Sequence, residues 1–245
     1  MRELCFYIFR ESGKELTFVL IGALGSGKSS TGNSILGEKK FKVSTGTLPV
    51  TNGVKSESVS RNDVNITVVD TPGLKNTSSL PIIKDEIDGI LRGIKPTNII
   101  YLIIIKIGRY TTEERQILKS IFKNHREITE NVMMIFTNRN DLMYEDDPED
   151  RKVQKWIEKN PTILKLINDY KLKYCAFENK RLTEDEKDLQ VKDLLSVVDD
   201  IDKKDVIATG IWGNKCMWIT KTIGETFGQC GHTIFEEQIL KQNNK

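Results

Sequence analysis

Short apolar runs alternate along this chain with longer stretches in which apolar residues return every three or four positions. Residues 16–21, 64–69, 98–105, 131–137 and 174–177 are rich in Val, Ile, Phe and Met and predict strands. Ile83, Ile87, Ile90, Leu91 and Ile94 fall on one helical face, and Pro81 suits the first turn of that helix. Ile117, Leu118, Ile121 and Phe122 make a second such face behind Thr111 and Glu114, which have capping-box spacing. Thr183 and Glu186 repeat that spacing ahead of a stripe formed by Leu194, Leu195, Val198 and Ile201. A further helix, Lys28–Leu36, follows the first strand across a glycine-rich stretch. The alternation predicts an α/β fold with a doubly wound, mostly parallel sheet and helices on both faces. In such sheets ligands bind beyond the carboxyl ends of the strands, so the loops that follow strands are where chemistry is expected.

Length and charge narrow the picture. The 245 residues suit one α/β domain over 15–201, with an N-terminal extension at 1–14 and a C-terminal tail at 202–245. The acidic and basic stretch 199–205 is the expected linker, and the tail, with Trp212, Trp218 and Phe227 among glycines, suits packing on the domain, a membrane surface or disorder. With 37 basic and 35 acidic side chains the formal charge is only +2, which gives no field for nucleic acid. Four cysteines at 5, 175, 216 and 230 form no Cys-x-x-Cys pair, in keeping with a reduced, cytoplasmic setting. The most apolar run, 99–105, is far short of the about 20 residues that span a bilayer. Neither a secretory signal around residues 4–9 nor a C-terminal prenylation box is expected.

Three of the loops after predicted strands carry motifs. Gly22-Ala-Leu-Gly25-Ser-Gly27-Lys28-Ser29 fits Gly-x4-Gly-Lys-Ser/Thr between a strand and a helix, which makes the expected fold a P-loop NTPase three-layer sandwich. Its glycines let backbone N–H groups turn inward on phosphate at a helix N-terminus, through Gly25, Ser26, Gly27, Lys28, Ser29 and Ser30. Lys28 is expected to reach the β- and γ-phosphates, and Ser29 to give an oxygen to Mg²⁺. Asp70-Thr-Pro-Gly73 closes the second predicted strand, so Asp70 suits Mg²⁺ through a water and the Gly73 N–H suits the γ-phosphate. Asn138-Arg139-Asn140-Asp141 fits the Asn-Lys-x-Asp guanine-reading pattern with Arg in place of Lys. The Asp141 carboxylate can accept from both the N1–H and the exocyclic amine of guanine, donors adenine lacks on that edge, while the Arg139 stem lies along the ring. Glu178-Asn179-Lys180 follows the last short strand, where a second wall of the base pocket is expected. Thr51 lies where a threonine closes on Mg²⁺ in the presence of a γ-phosphate, with Thr45 and Thr47 as alternatives.

Together with Ser29-Ser-Thr-Gly-Asn-Ser-Ile-Leu36 and Ile107-Gly-Arg-Tyr-Thr-Thr-Glu-Glu114, these motifs resemble the GIMAP family, the immunity-associated nucleotide-binding GTPases, over about residues 15–201. Tyr174-Cys-Ala-Phe-Glu-Asn179-Lys resembles the family's Phe-Asn-Asn-Lys stretch, with Glu178 where Asn is usual, and that likeness implies base contacts at Glu178 and Asn179. The family's base-reading loop usually shows Arg-Lys-x-Asp or a His variant, so Asp141 transfers better than Asn138 and Arg139. The resemblance also implies a septin-like G domain holding GTP or GDP, dimers or oligomers in the GTP state, peripheral contact with intracellular membranes, and roles in lymphocyte survival or defence.

Hydrolysis is expected to be slow. Many GTPases orient the attacking water with a glutamine after the Asp-x-x-Gly glycine, and here that residue is Leu74. His125 follows a helical pattern far from the phosphate loop and suits a surface position. Arg109 fits either an arginine finger reaching across a dimer or a structural arginine anchoring the helix after it. Three functions remain: a slowly cycling GTPase switch, a scaffold that holds GTP without hydrolysing it, and an ATP-using P-loop enzyme if Asp141 is an ordinary loop residue.

Overall fold

The computed structural model describes residues 14–43, 53–61, 63–129, 131–180 and 182–208. Among them six strands form one sheet: β1 (Lys14–Gly22), β2 (Lys55–Arg61), β3 (Val64–Asp70), β4 (Ile99–Lys106), β5 (Val132–Thr137) and β6 (Lys173–Phe177), in the order β2-β3-β1-β4-β5-β6. All pair in parallel except β2, which runs antiparallel to β3. The inner strands read as near-continuous apolar runs because helices cover both of their faces. Phe18, Val19, Leu20 and Ile21 of β1 and the whole of β5 are shut off from solvent. β2 is an edge strand, and its Lys-Ser-Glu-Ser-Val-Ser-Arg sequence has no apolar run, which is why hydrophobic pattern does not predict it.

Alternate residues of each strand face opposite layers. Val19 and Ile21 belong to a cluster with Leu80, Ile83 and Ile87 of α2 (Ser79–Ile94) and with Ile117, Leu118, Ile121 and Phe122 of α3 (Thr112–Asn124). On the other face Leu20 meets α1 (Lys28–Leu36) at Gly32, where a Cβ would stand 3.2 Å from the Leu20 Cδ1 and 3.0 Å from the Phe41 ring. Asn33 then holds Phe41 by its main chain, donating to the carbonyl at 2.9 Å and accepting from the N–H at 2.8 Å. The Thr-Gly-Asn-Ser stretch after the phosphate loop is therefore a packing and clamping device.

Both expected capping boxes form. The Thr111 hydroxyl accepts from the Glu114 N–H at 3.2 Å and the Glu114 carboxylate accepts from the Thr111 N–H at 2.7 Å; Thr183 and Glu186 make the same pair at 3.3 and 2.8 Å. The second box opens α7 (Glu184–Ala208). Between α3 and β6 the chain adds α4 (Arg126–Thr129), α5 (Val153–Glu158) and α6 (Pro161–Tyr170), together with 3-10 turns over Arg139–Tyr144 and Pro148–Arg151. Sequence pattern did not single these out. α6 nonetheless buries Ile163 and Leu166 against the same cluster as α2 and α3.

Arg61 at the end of β2 gives its guanidinium to the Ser34 and Ile35 carbonyls at the end of α1, at 2.7 and 2.8 Å, and pairs with Asp188 of α7. His125 stands at the C-cap of α3, at the far end of a helix about 20 Å long, which carries it away from the carboxyl edge of the sheet. The chain divides between Val197 and Val198 into two units, and the sheet belongs to the first. Of the second unit residues 198–208, the end of α7, are described. Apart from Lys14 and residues 202–208, the extension at 1–14 and the tail at 202–245 lie outside the described residues, as do Thr45, Thr47 and Thr51. No described helix is long and apolar enough to cross a membrane.

Phe18 sits in the central strand with no exposed surface. Phe18→Ala is expected to destabilise the protein by about 3–5 kcal/mol, seen in urea as a lower midpoint with an unchanged slope. A loss below about 1 kcal/mol, the level of a surface change, would show that this core is not packed as described.

Candidate functional site

β1 lies between β3 and β4, so the chain leaves it first to one side and later to the other. This change of direction opens a crevice at the carboxyl end of β1, where α/β sheets bind ligands. The loop from Gly22 to Lys28 fills that position. Its backbone needs glycine: Gly25 and Gly27 have φ of +78° and +99°, and a Cβ on Gly22 would lie 2.5 Å from the Ile104 carbonyl oxygen. Gly27 is also the N-cap of α1, with no side-chain cap and no acidic residue in the first turn. That helix end keeps its N–H groups and partial positive charge for an anion.

Lys28 is buried and its ammonium group donates to the Gly22 and Ala23 carbonyls at 3.1 and 2.9 Å. Burial pulls its pKa down from 10.5 to about 8, against the opposing attraction of Asp70. Next to it the Ser29 hydroxyl donates to the Asp70 carboxylate at 2.6 Å, and Asp70 itself is buried. A hydroxyl whose proton is committed to Asp70 turns a lone pair away from it, which is what a hard cation takes. The Ser29 and Asp70 oxygens therefore fit Mg²⁺, an ion that fills the rest of its shell with phosphate oxygens and water.

The Asp70-Thr-Pro-Gly73 loop is stitched to the phosphate loop. Leu74 N–H donates to the Gly22 carbonyl at 3.0 Å, Leu24 N–H donates to the Leu74 carbonyl at 3.3 Å, and the buried Thr71 hydroxyl donates to the Leu20 carbonyl at 2.6 Å. Gly73 fits so closely that a Cβ there would lie 2.5 Å from the Leu24 Cα. Leu74 itself is a core residue.

At the end of β5, Asn138 adopts a left-handed conformation (φ +60°), tolerated by asparagine, and starts the 3-10 turn Arg139–Tyr144. Its side-chain amide donates to the Asp141 carboxylate at 3.3 Å, and the Asp141 N–H donates to the Asn138 carbonyl at 3.0 Å. Asp141 is exposed at the rim, while Arg139 is half-buried. Gly108 (φ +78°) lies alongside, where a Cβ would stand 3.9 Å from the Asp141 Oδ2. Arg109 follows on that turn, exposed, with no hydrogen bond or ion pair to the described residues.

Glu178 and Asn179 leave β6 in different directions. Both oxygens of the buried Glu178 accept backbone N–H groups, from Asn140 at 3.1 Å and Lys180 at 2.9 Å. Asn179 donates to the Thr31 hydroxyl at 3.0 Å and accepts from the Ser34 hydroxyl at 2.8 Å, which ties this loop to α1. The phosphate loop, Asp70, Gly73, Asn138, Asp141, Glu178 and Asn179 thus meet along one edge of the sheet.

One residue that joins them was absent from the sequence reading. Thr137, wholly buried as the last residue of β5, donates its hydroxyl to the Ser26 carbonyl at 2.7 Å. Its Oγ1 and Cγ2 also stand 3.3 Å from the place of a Cβ on Gly27. A single hydroxyl closing an otherwise apolar strand is the signal that marks it in Val-Met-Met-Ile-Phe-Thr. Gln190 of α7, which bonds the Glu178 main chain, gives no such signal because it reads as one more polar helical position.

Comparison with known proteins agrees with this geometry. The AIG1 family model matches residues 16–208. The human GTPase IMAP family member 8 is 34% identical over 191 residues, covering 76% of this chain and 28% of that protein. Immune-associated nucleotide-binding protein 13 of Arabidopsis thaliana is 30% identical over 195 residues, covering 78% of this chain and 56% of that protein. The chain thus spans only about a quarter to a half of the length of these curated relatives. Among solved structures, Toc33 from Arabidopsis thaliana in complex with Mg²⁺ and GMPPNP superimposes with a TM-score of 0.60 at 20% identity, over 83% of this chain and 90% of that one. A dimerization-deficient Toc33 mutant gives 0.61 at 21% identity, over 82% and 90%. These two likenesses show that the chain shares the fold of Toc33.

Two measurements probe the geometry without a ligand. Thr137→Val leaves the buried Ser26 carbonyl without its donor and is expected to cost about 1–3 kcal/mol in urea unfolding, whereas Thr137→Ser should keep most of the loss at bay; equal behaviour of the two variants would discard the tether. For Lys28 the folded pKa lies below the unfolded one, so between about pH 8 and 10.5 the unfolded chain binds the extra proton and stability rises with pH. Relative to Lys28→Met, the wild type should gain on the order of 3 kcal/mol across that window, and a flat difference would mean that the ammonium group is solvated.

Proposed function

Since the chain belongs to the AIG1 family, we propose that it is a guanine-nucleotide-binding protein that holds GTP or GDP with Mg²⁺ and hydrolyses GTP slowly. The observation that carries this reading is the Thr137 tether. It fixes a phosphate loop bearing Lys28 and Ser29 against a base-reading loop bearing Asp141, so that one ligand with both phosphates and a base spans the two.

Each group has its part. Backbone N–H groups of Gly25 to Ser30 at the start of α1 take the phosphate oxygens, and Lys28 exchanges the Gly22 and Ala23 carbonyls for phosphate. Ser29 would give its oxygen to Mg²⁺ and Asp70 would reach the ion through a water, with Thr51 joining them when a γ-phosphate is present. When bound, Mg²⁺ offsets the negative charge of the β- and γ-phosphate oxygens. Gly73 presents its N–H to the γ-phosphate. Asp141 accepts from guanine N1–H and the 2-amino group, Asn138 steadies that carboxylate, Arg139 lies along the ring, and the Glu178-Asn179 loop closes the other side of the pocket.

Slow turnover follows from Leu74, which is committed to the core where a glutamine would orient water. The missing group comes from a second copy in this reading. Arg109 is exposed and follows Gly108, whose backbone runs alongside Asp141, and so suits delivery across a GTP-dependent homodimer. Support by analogy is the solved work in which dimerization is described as important for the GTPase activity of chloroplast translocon components. The setting we infer is the cytoplasm of immune-related cells, with peripheral contact on intracellular membranes, where the protein acts as a nucleotide-controlled switch or assembly. The buried Leu74 also favours a second reading, a GTP-bound scaffold that does not turn over.

Titration of nucleotide-stripped protein with labelled GDP, GTP and ATP in Mg²⁺ should show guanine selectivity of at least about tenfold, the worth of one unmatched acceptor. Asp141→Asn should shift preference toward xanthine nucleotides. Equal binding of ATP, or an unchanged base preference in Asp141→Asn, would remove the pocket assignment. Single-turnover hydrolysis at low and high protein concentration separates the readings: acceleration with concentration supports the dimer, and no phosphate release at either leaves the scaffold.

A further inference from the structure

We propose that Glu178 is a positioning residue that sets base selectivity by bridging the two loops of the base site, without itself touching the base. The inference rests on the guanine-binding reading above and deepens it. Glu178 is 4% exposed, and its two oxygens serve two different chain segments. Oε2 accepts the N–H of Asn140, the residue before Asp141, at 3.1 Å, and Oε1 accepts the N–H of Lys180 at 2.9 Å. Glutamate is suited to both: a carboxamide offers one acceptor oxygen, and aspartate lacks the reach of the extra methylene. Charge-assisted bonds to backbone N–H are also the stronger kind, which offsets the cost of burying the charge.

The origin of this side chain is itself fixed. Gln190 of α7, also 4% exposed, donates to the Glu178 carbonyl at 3.1 Å and accepts from the Glu178 N–H at 3.2 Å. A continuous chain of bonds therefore runs from α7 through Glu178 to the N–H of Asn140, next to Asp141 in the chain. Asp141 needs such support. It is exposed, and its own side-chain tether to Asn138 is long, at 3.3 Å. To accept from guanine N1–H and the 2-amino group together, its carboxylate must keep its plane, and a small tilt loses one of the two bonds. Inosine lacks the 2-amino group, so the preference for GDP over IDP reads that alignment directly.

The test compares dissociation constants of the full chain for GDP, IDP and ADP in Mg²⁺, with thermal unfolding recorded on each variant. In Glu178→Gln the GDP-to-IDP preference is expected to fall about tenfold, while IDP binding stays within about twofold of wild type. Gln190→Met, which keeps volume and removes both main-chain bonds, should move the same ratio in the same direction by less, and supplies the answer if Glu178→Gln does not fold. An unchanged ratio in folded variants, or an equal loss for all three nucleotides, overturns the inference, since a merely structural role weakens every ligand alike. A wild type that does not prefer GDP to ADP is a separate outcome: it removes the guanine reading, and Glu178 loses its proposed role with it.

Discussion

The hydrogen bond from the Thr137 hydroxyl to the Ser26 carbonyl ties the phosphate loop directly to the end of β5, and the bonds of Asn179 to α1 make the second tie between the two halves of this site. The phosphate loop grows out of β1 and the base-reading loop out of β5, two strands that do not pair but flank β4. Backbone pairing fixes where those strands end. It does not fix how far their loops lean toward one another. Thr137 supplies that missing dimension, with the hydroxyl in a buried site where an unmatched carbonyl would be costly. Its methyl and hydroxyl also press toward Gly27, so the glycine that lets the chain turn is packed by the residue that anchors it.

Around that tether the molecule uses main-chain groups more than side-chain charges. Glu178, Asn33 and Thr71 spend their polar side-chain atoms on backbone donors or carbonyls, and Arg61 gives one arm of its guanidinium to two carbonyls. Lys28 does so as well, at the expense of its own charge, which burial disfavours. The ammonium group is thus stored close to where anionic charge is to be met. In its proposed role, moving it from two neutral carbonyls to phosphate would gain an opposite charge, so part of the affinity would come from leaving a poor environment.

Much of this was legible in the sequence because the features have local causes. The inner strands are buried on both sides and announce themselves as apolar runs; the two capping boxes need only a three-residue spacing; the phosphate loop needs glycines where φ is positive. What stayed hidden depends on partners distant in sequence. β2 is an edge strand with one apolar residue, Val59, and so no hydrophobic alternation to reveal it, and it exists because β3 offers it a ladder. Thr137 and Gln190 owe their roles to residues 111 and 12 positions away, respectively. Asn179 sits where the base pocket was expected, yet what fixes it is a pair of α1 hydroxyls that no periodicity connects to it.

The short parallel stitch between Ala23 and Leu74 has a mechanical meaning. Gly73 is held on one side by Leu24 of the phosphate loop and on the other by a leucine rooted in the core. A backbone N–H mounted in this way has almost no travel of its own. In the role proposed for it, it would behave like a fixed electrical contact rather than a lever, meeting a third phosphate or not. Any swing set off by such a contact would then be taken up just downstream, from Lys75 to Ser78, where four exposed residues run before α2 begins.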